Sequence, residues 1–234
     1  MNAITPGPAG SPSSPPEHLL EQALATNAGS RDWRDWKAAA ARDIMALARR
    51  AERLTLLELD LSGDFYLRYR IDMPVPRWPV RDELVVGNRA EFDLQYQEQW
   101  RWQSPPSLLP LAIRQPTDLY HPNGQPALLP PLPGLDLPPD LPFTRAVFCT
   151  GHLPPGTLPR ELILLGYFAV SLQLRELDEF DPQGVLNPIA CQFFRRHPRY
   201  LPLTRAGLFD PWPSSEGDSH DTCHQPADHP LGQH

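Results

Sequence analysis

Long apolar runs are missing from this 234-residue chain. No stretch approaches the ~20 consecutive apolar residues of a membrane-crossing helix, so a membrane-spanning role is set aside. Cysteine is scarce: Cys149, Cys191 and Cys223 are odd in number and far apart. That excludes a disulfide framework and points to a reducing compartment, so a cytoplasmic location is expected. The first residues lack the charged-then-apolar pattern of a secretory signal. Basic residues are in the minority, 21 Lys and Arg against 28 Asp and Glu, for a net charge of −7. A nucleic-acid binder shows the opposite balance. There is no internal repeat.

Proline is abundant, with 31 residues, so loops must take much of the length. At 41% hydrophobic residues the chain can still bury the core of one domain. Residues 1–16 are rich in Pro, Gly, Ser and Ala, and 1–29 are expected to be a disordered leader. Residues 213–234 are polar with scattered histidines and read as a disordered tail. Cys223 lies there near His220, His224, His229 and His234, but the spacing matches no closed tetrahedral zinc pattern. The folded domain is therefore expected over 30–212.

Within that domain the hydrophobic period changes twice. Ser30 can cap a helix whose stripe is Trp33, Trp36, Ala40, Ile44, Leu47, Ala51 and Leu54. Leu56 to Leu61 suits a strand. Phe65, Leu67, Tyr69 and Ile71 then alternate with polar residues, as do Phe92, Leu94 and Tyr96, which marks half-buried strands. Leu108 to Ile113 is a further short candidate. The simplest arrangement is an antiparallel meander of four strands. Near residue 158 the period becomes helical again. Thr157 is a candidate cap, and Leu158, Leu162, Ile163, Leu165, Phe168, Ala169 and Leu172 make 158–174 apolar nearly all round, as in a buried helix. Asn187-Pro188 opens a last helix with the stripe Ile189, Ala190, Phe193 and Phe194. The fold class expected is α/β (α+β), one helix before the sheet and at least two after it.

Two features carry chemistry: His121-Pro122-Asn123 and, downstream, Cys149 in Val147-Phe148-Cys149-Thr150-Gly151-His152. An asparagine amide near a single thiol suits acyl transfer through a thioester, the amide steadying the oxyanion. The bland reading of Cys149 is a small buried hydrophobe. Asn123-Gly124 is by itself a turn signal, and His121 suits holding that turn through side-chain-to-backbone bonds. His152 is a candidate to activate the thiol or is simply a surface residue. Cys191 falls inside the last helix beside Ile189 and Phe193 and reads as core.

The order of these elements resembles the ubiquitin-conjugating enzymes from about residue 30 to 202. The resemblance rests on Phe92 to Pro106, a strand leading into a proline pair; on Tyr120-His121-Pro122-Asn123; and on Asp181 to Ala190, where Asp, Pro and Asn open a helix. The residues around Cys149, with Pro154-Pro155-Gly156-Thr157 and Arg160-Glu161-Leu162, look most like bacterial members from operons that also encode a ubiquitin-like protein and an activating enzyme and are associated with antiphage defence. Such a protein would take a ubiquitin-like protein from the activating enzyme onto Cys149. It would pass the acyl group to a lysine or other nucleophile on a target, Asn123 stabilising the oxyanion, and it would need no metal or small cofactor. The family's first helix engages the activating enzyme. Here Arg31 to Arg53 holds seven basic against four acidic residues. Arg34, Arg42, Arg49 and Arg53 are the candidate docking face, with a solvated helix face as the plainer reading.

The chain also departs from the family pattern. Residues 124–148 intervene between asparagine and cysteine, where family members place about ten. They include Pro126, Pro130, Pro131, Pro133, Pro138, Pro139 and Pro142, which exclude a regular helix or a central strand. Such a segment can loop out and return, because closure entropy grows slowly with length. Leu153-Pro154-Pro155 replaces the family's tryptophan. A non-catalytic variant that binds a ubiquitin-like partner is therefore the second reading. A Cys/His hydrolase is a weaker third, because nucleophile and base normally come from separate elements.

Overall fold

The computed structural model describes residues 16–108, 110–125, 146–175, 177 and 185–211. The first helix, α1, spans Pro16–Ala25. It corrects the expectation of a leader reaching residue 29. Leu19, Leu20, Ala23 and Leu24 recur at helical spacing, and all four join the main core. A helix of this length is marginal alone and draws its stability from that packing. The second helix, α2 (Arg31–Arg50), starts as expected, with the Ser30 hydroxyl accepting from the Trp33 N–H at 3.2 Å. Its inward face is Trp33, Lys37, Ala40, Ala41, Ile44 and Met45. The helix stops at Ala51, and Leu54 belongs instead to the first strand.

Lys37 is the unexpected member of that face. It is fully buried, and its Nζ donates to the carbonyls of Ala28, Leu61 and Gly63. Three carbonyls satisfy the three ammonium donors, which makes the burial tolerable. They also tie the α1–α2 loop to the end of the first strand.

The sheet is antiparallel throughout and has six strands, not four: β1 (Leu54–Asp60), β2 (Phe65–Val80), β3 (Glu83–Tyr96), β4 (Leu111–Gln115), β5 (Gly124–Gln125) and β6 (Ala146–Phe148), in the order β1-β2-β3-β4-β6-β5. The first four pair in sequence order. The other two are the ends of the proline-rich segment. With two and three residues they carry no readable period, and only their pairing makes them strands. The β2–β3 hairpin is also much longer than the two alternating stretches. Pro74, Pro76 and Pro79 interrupt the pattern in β2, and the loop Arg81-Asp82 carries φ values of 53° and 63°, as a two-residue type I′ turn requires.

The buried helix is α3 (Pro159–Val170), with Pro159 in its first turn. Its N-cap is Leu158, not Thr157, whose hydroxyl donates to the Pro154 carbonyl. The Leu158 N–H donates to the Glu161 carboxylate at 2.8 Å, closing the first turn from the side-chain end. Together α2 and α3 cover one face of the sheet around Phe65, Leu67, Tyr69, Ile71, Phe92 and Leu94. The last helix, α4 (Pro188–Arg196), begins where expected, with Asn187 Oδ1 accepting from the Ala190 N–H at 3.0 Å. Ala190, Phe193 and Phe194 of the expected stripe are buried, and so is Cys191, as read, its thiol donating to the Leu177 carbonyl; Ile189 is instead 58% exposed. A second cluster of Leu84, Tyr120, Leu172, Ala190, Phe193 and Phe194 joins the hairpin end to α4. Among the described residues no helix is long and apolar enough to cross a membrane.

Candidate active site

The site is built on His121-Pro122-Asn123, where each residue holds a different element. The His121 ring is fully buried. Its Nδ1 accepts from the Asn123 backbone N–H at 3.0 Å, and its Nε2 lies 2.9 Å from the Ala169 carbonyl at the end of α3. The acceptor role of Nδ1 assigns the proton to Nε2, so the ring is the neutral tautomer that donates to Ala169. Desolvation pushes the imidazole down to about 4, so it stays neutral through the physiological range. The ring packs on Phe148 of β6 at 5.1 Å. His121 is thus a structural clamp, as its side-chain-to-backbone reading expects.

The Pro122 carbonyl accepts from both the Leu186 and Asn187 N–H groups, each at 2.9 Å. This fixes the entry to α4. The Asn123 carbonyl accepts from the Cys149 N–H at 2.8 Å. Beyond that contact β5 and β6 pair through Gly124 with Phe148 and Gln125 with Val147. The segment between asparagine and cysteine therefore leaves and returns at one point. Its middle, 126–145, with all seven of its prolines, lies outside the described residues, as do residues 212–234 with Cys223 and the four tail histidines.

Space is tight at Gly124. A Cβ there would meet Leu119 Cδ2 at 2.7 Å and His121 Cβ at 3.3 Å. The Asn-Gly pair thus makes a turn, with the Gly124 N–H donating to the His121 carbonyl at 3.1 Å, and it also lets the Tyr120-His121 backbone close on itself.

Cys149 is buried, 6% exposed, in a small cluster with Val147, Leu186 and the partly buried Leu108. Asn123 is 8% exposed. On the other side of the thiol, Thr150 donates through both its N–H and its hydroxyl to the Ser107 carbonyl, each at 2.8 Å. Ser107 and Leu108 precede β4, which starts at Leu111 and not at Leu108. Sequence reasoning missed these two residues as site neighbours, because the proline pair before them gives no sign that the loop folds back on Cys149. Gly151, with φ of 70°, turns the chain away. His152 is exposed and makes no hydrogen bond among the described residues, so nothing there couples its ring to the thiol.

Asn187 was read only as a helix cap, yet it is 4% exposed, and its Nδ2 has no hydrogen-bond partner among the described residues. Among the described residues no group of three or more His, Cys, Asp and Glu is placed to hold a metal ion.

The proposed docking face of α2 is smaller than expected. Arg34, Arg42 and Arg49 are exposed, and Arg49 pairs with Glu17 of α1 at 3.1 Å. Arg53 does not belong to the face. It is 2% exposed and lies in the turn just before β1. It donates to the Asp210 and Pro211 carbonyls at 2.7 and 3.0 Å and to the Tyr167 hydroxyl at 2.9 Å. The helix ends before residue 53, so the side chain turns inward and anchors the backbone at Asp210 and Pro211.

The chain matches no family model, no curated protein and no solved structure.

Proposed function

We propose that this protein is a conjugating enzyme for a ubiquitin-like protein, carrying the acyl group as a thioester on Cys149. The observation that supports the reading most is the 2.8 Å bond from the Cys149 N–H to the Asn123 carbonyl. It sets the only cysteine outside a helix, among the described residues, beside the asparagine of the His-Pro-Asn turn. The four-stranded run β1–β4, the turn and the two following helices are in the order the resemblance to ubiquitin-conjugating enzymes implies.

In the proposed reaction the Cys149 thiolate attacks the thioester carbonyl on an activating enzyme, and the activating-enzyme thiolate leaves. An acceptor amine, a lysine on a target, then attacks the new thioester. The Asn123 amide stabilises the tetrahedral oxyanion, the Cys149 thiolate departs as the amide bond forms, and the proton lost by the amine passes to solvent. His121 is neutral and internally bonded, so it positions Asn123 and does not carry protons. The exposed Arg34, Arg42 and Arg49 are the surface offered to the activating enzyme, and the setting is bacterial antiphage defence in the cytoplasm.

With a cognate activating enzyme, ATP and a ubiquitin-like protein, the chain should form a thiol-labile adduct. Cys149→Ala should abolish it and Cys191→Ala should not, because the Cys191 thiol is fully buried in α4. An adduct that persists in Cys149→Ala rules the mechanism out. The burial of Cys149 among Val147, Leu186 and Leu108 favours one alternative, a non-catalytic variant that binds a ubiquitin-like protein without accepting it.

A further inference from the structure

The β2–β3 hairpin has two unlike edges. On the β2 side the chain is protected: Pro74, Pro76 and Pro79 remove donors, and the segment leading to the His-Pro-Asn turn lies along it. There the Trp78 N–H donates to Asp118 and the Tyr120 N–H to Pro76. On the β3 side, β4 pairs only with Glu91–Leu94. From Glu83 to Ala90 no strand pairs with the outer edge of β3 among the described residues. This stretch, Glu-Leu-Val-Val-Gly-Asn-Arg-Ala, holds no proline and no lysine, two of the devices that blunt an open edge, and its two charges, Glu83 and Arg89, are of opposite sign. Val86 stands on it 48% exposed, and Val80, at the hairpin tip, is 61% exposed.

We propose that this edge pairs with itself, so that the outer half of β3 docks antiparallel on the same stretch of a second copy about a two-fold axis at Val86. The register is set by charge. Centred on Val86, Glu83 of one copy falls opposite Arg89 of the other, and Arg89 opposite Glu83, giving two cross-strand ion pairs. Glu83 and Arg89 are both exposed and make no ion pair of their own among the described residues. Moving the centre one residue toward the tip sets Arg81 against Arg89. One residue the other way sets Glu83 against Glu91. Like charges directly opposite disfavour both registers. The free window fits the same centre: it is bounded by the Arg81-Asp82 turn at one end and by the β4 partner Glu91 at the other. Each hairpin tip then reaches the partner's β4, Val86 packs on Val86 across the axis, and the two sheets become one.

Sedimentation velocity over a concentration series, in reductant, tests the pairing. The wild type should show a reversible monomer–dimer equilibrium. Glu83→Arg alone and Arg89→Glu alone each place like charges opposite one another twice, and each should weaken dimerisation roughly tenfold or more. Mixed together, the two variants should dimerise as the wild type does, because every pair across the axis is again of opposite charge. That rescue also shows that both variants are folded. A monomeric wild type at the highest concentration overturns the proposal. So does a dimer indifferent to both substitutions, or a mixture no more dimeric than either variant alone.

Discussion

His121 gives the sharpest test of how the turn is held. The folded ring is held near 4, whereas an exposed imidazole titrates near 6.5. The unfolded chain therefore takes up a proton below pH 6.5 that the folded chain refuses until about pH 4. By linkage, stability is unaffected above pH 6.5 and falls as pH drops through that window. The gap corresponds to roughly 3 kcal/mol over the whole interval, at about 1.4 kcal/mol per pH unit where the difference in bound protons is complete. Protonation also puts a donor on Nδ1, which then faces the Asn123 N–H and breaks the turn bond, so the loss has a structural seat. The perturbation is His121→Gln, which removes the titration and keeps a polar side chain. At pH 7.5 the variant should be less stable by ~1–3 kcal/mol, the cost of disturbing two buried hydrogen bonds. Urea unfolding at pH 7.5, 6.5, 5.5 and 4.5 measures both. The wild type should lose stability more steeply than the variant between pH 6.5 and 4.5, narrowing the gap between them. Carboxylates contribute to both proteins and cancel in the difference. Parallel pH profiles would show that His121 does not titrate as a buried neutral base and would refute the depressed titration on which the argument rests.

Three further outcomes follow from the same geometry. Gly124→Ala should destabilise the protein by ~1–3 kcal/mol, since the added methyl meets Leu119 at 2.7 Å; an unchanged urea midpoint would mean the turn has slack. Arg53→Met should cost ~1.5–3 kcal/mol and speed proteolysis within residues 204–211, because two backbone carbonyls and the Tyr167 hydroxyl lose their donor; unchanged cleavage would mean the segment is held by other contacts. Asn123→Ala keeps the two bonds its backbone makes, to His121 and to Cys149, so loading of Cys149 should stay near wild type while transfer to lysine slows ~10²-fold. Equal losses in loading, transfer and stability would make Asn123 a purely structural residue.

Much of this architecture is written locally. Ser30 and Asn187 announce their helices because a cap needs only a side-chain oxygen near the first free N–H groups, and both bonds form as read. The alternation of Phe65 to Ile71 and of Phe92 to Tyr96 marks strands because one face of each is buried. The hydrophobic wrap of 158–174 marks a helix buried on most sides. His121-Pro122-Asn123-Gly124 reads as a turn from its residues alone. Tertiary structure decided the rest. The helix α1 depends on a core supplied by distant elements. Arg53 and Lys37 look like surface cations in sequence and are buried because carbonyls from far along the chain converge on them. Ile189 falls in the expected α4 stripe and is exposed, while Cys191 is core as read; one apolar residue at the margin of a nine-residue helix is not resolved by periodicity. The juncture of the proposed site is the clearest case. Strands β5 and β6 are too short to have a pattern, and only their pairing brings Cys149 to the carbonyl of Asn123. A contact between residues so far apart in sequence is a property of the assembled sheet, and the short strands that make it carry no pattern that spells it out.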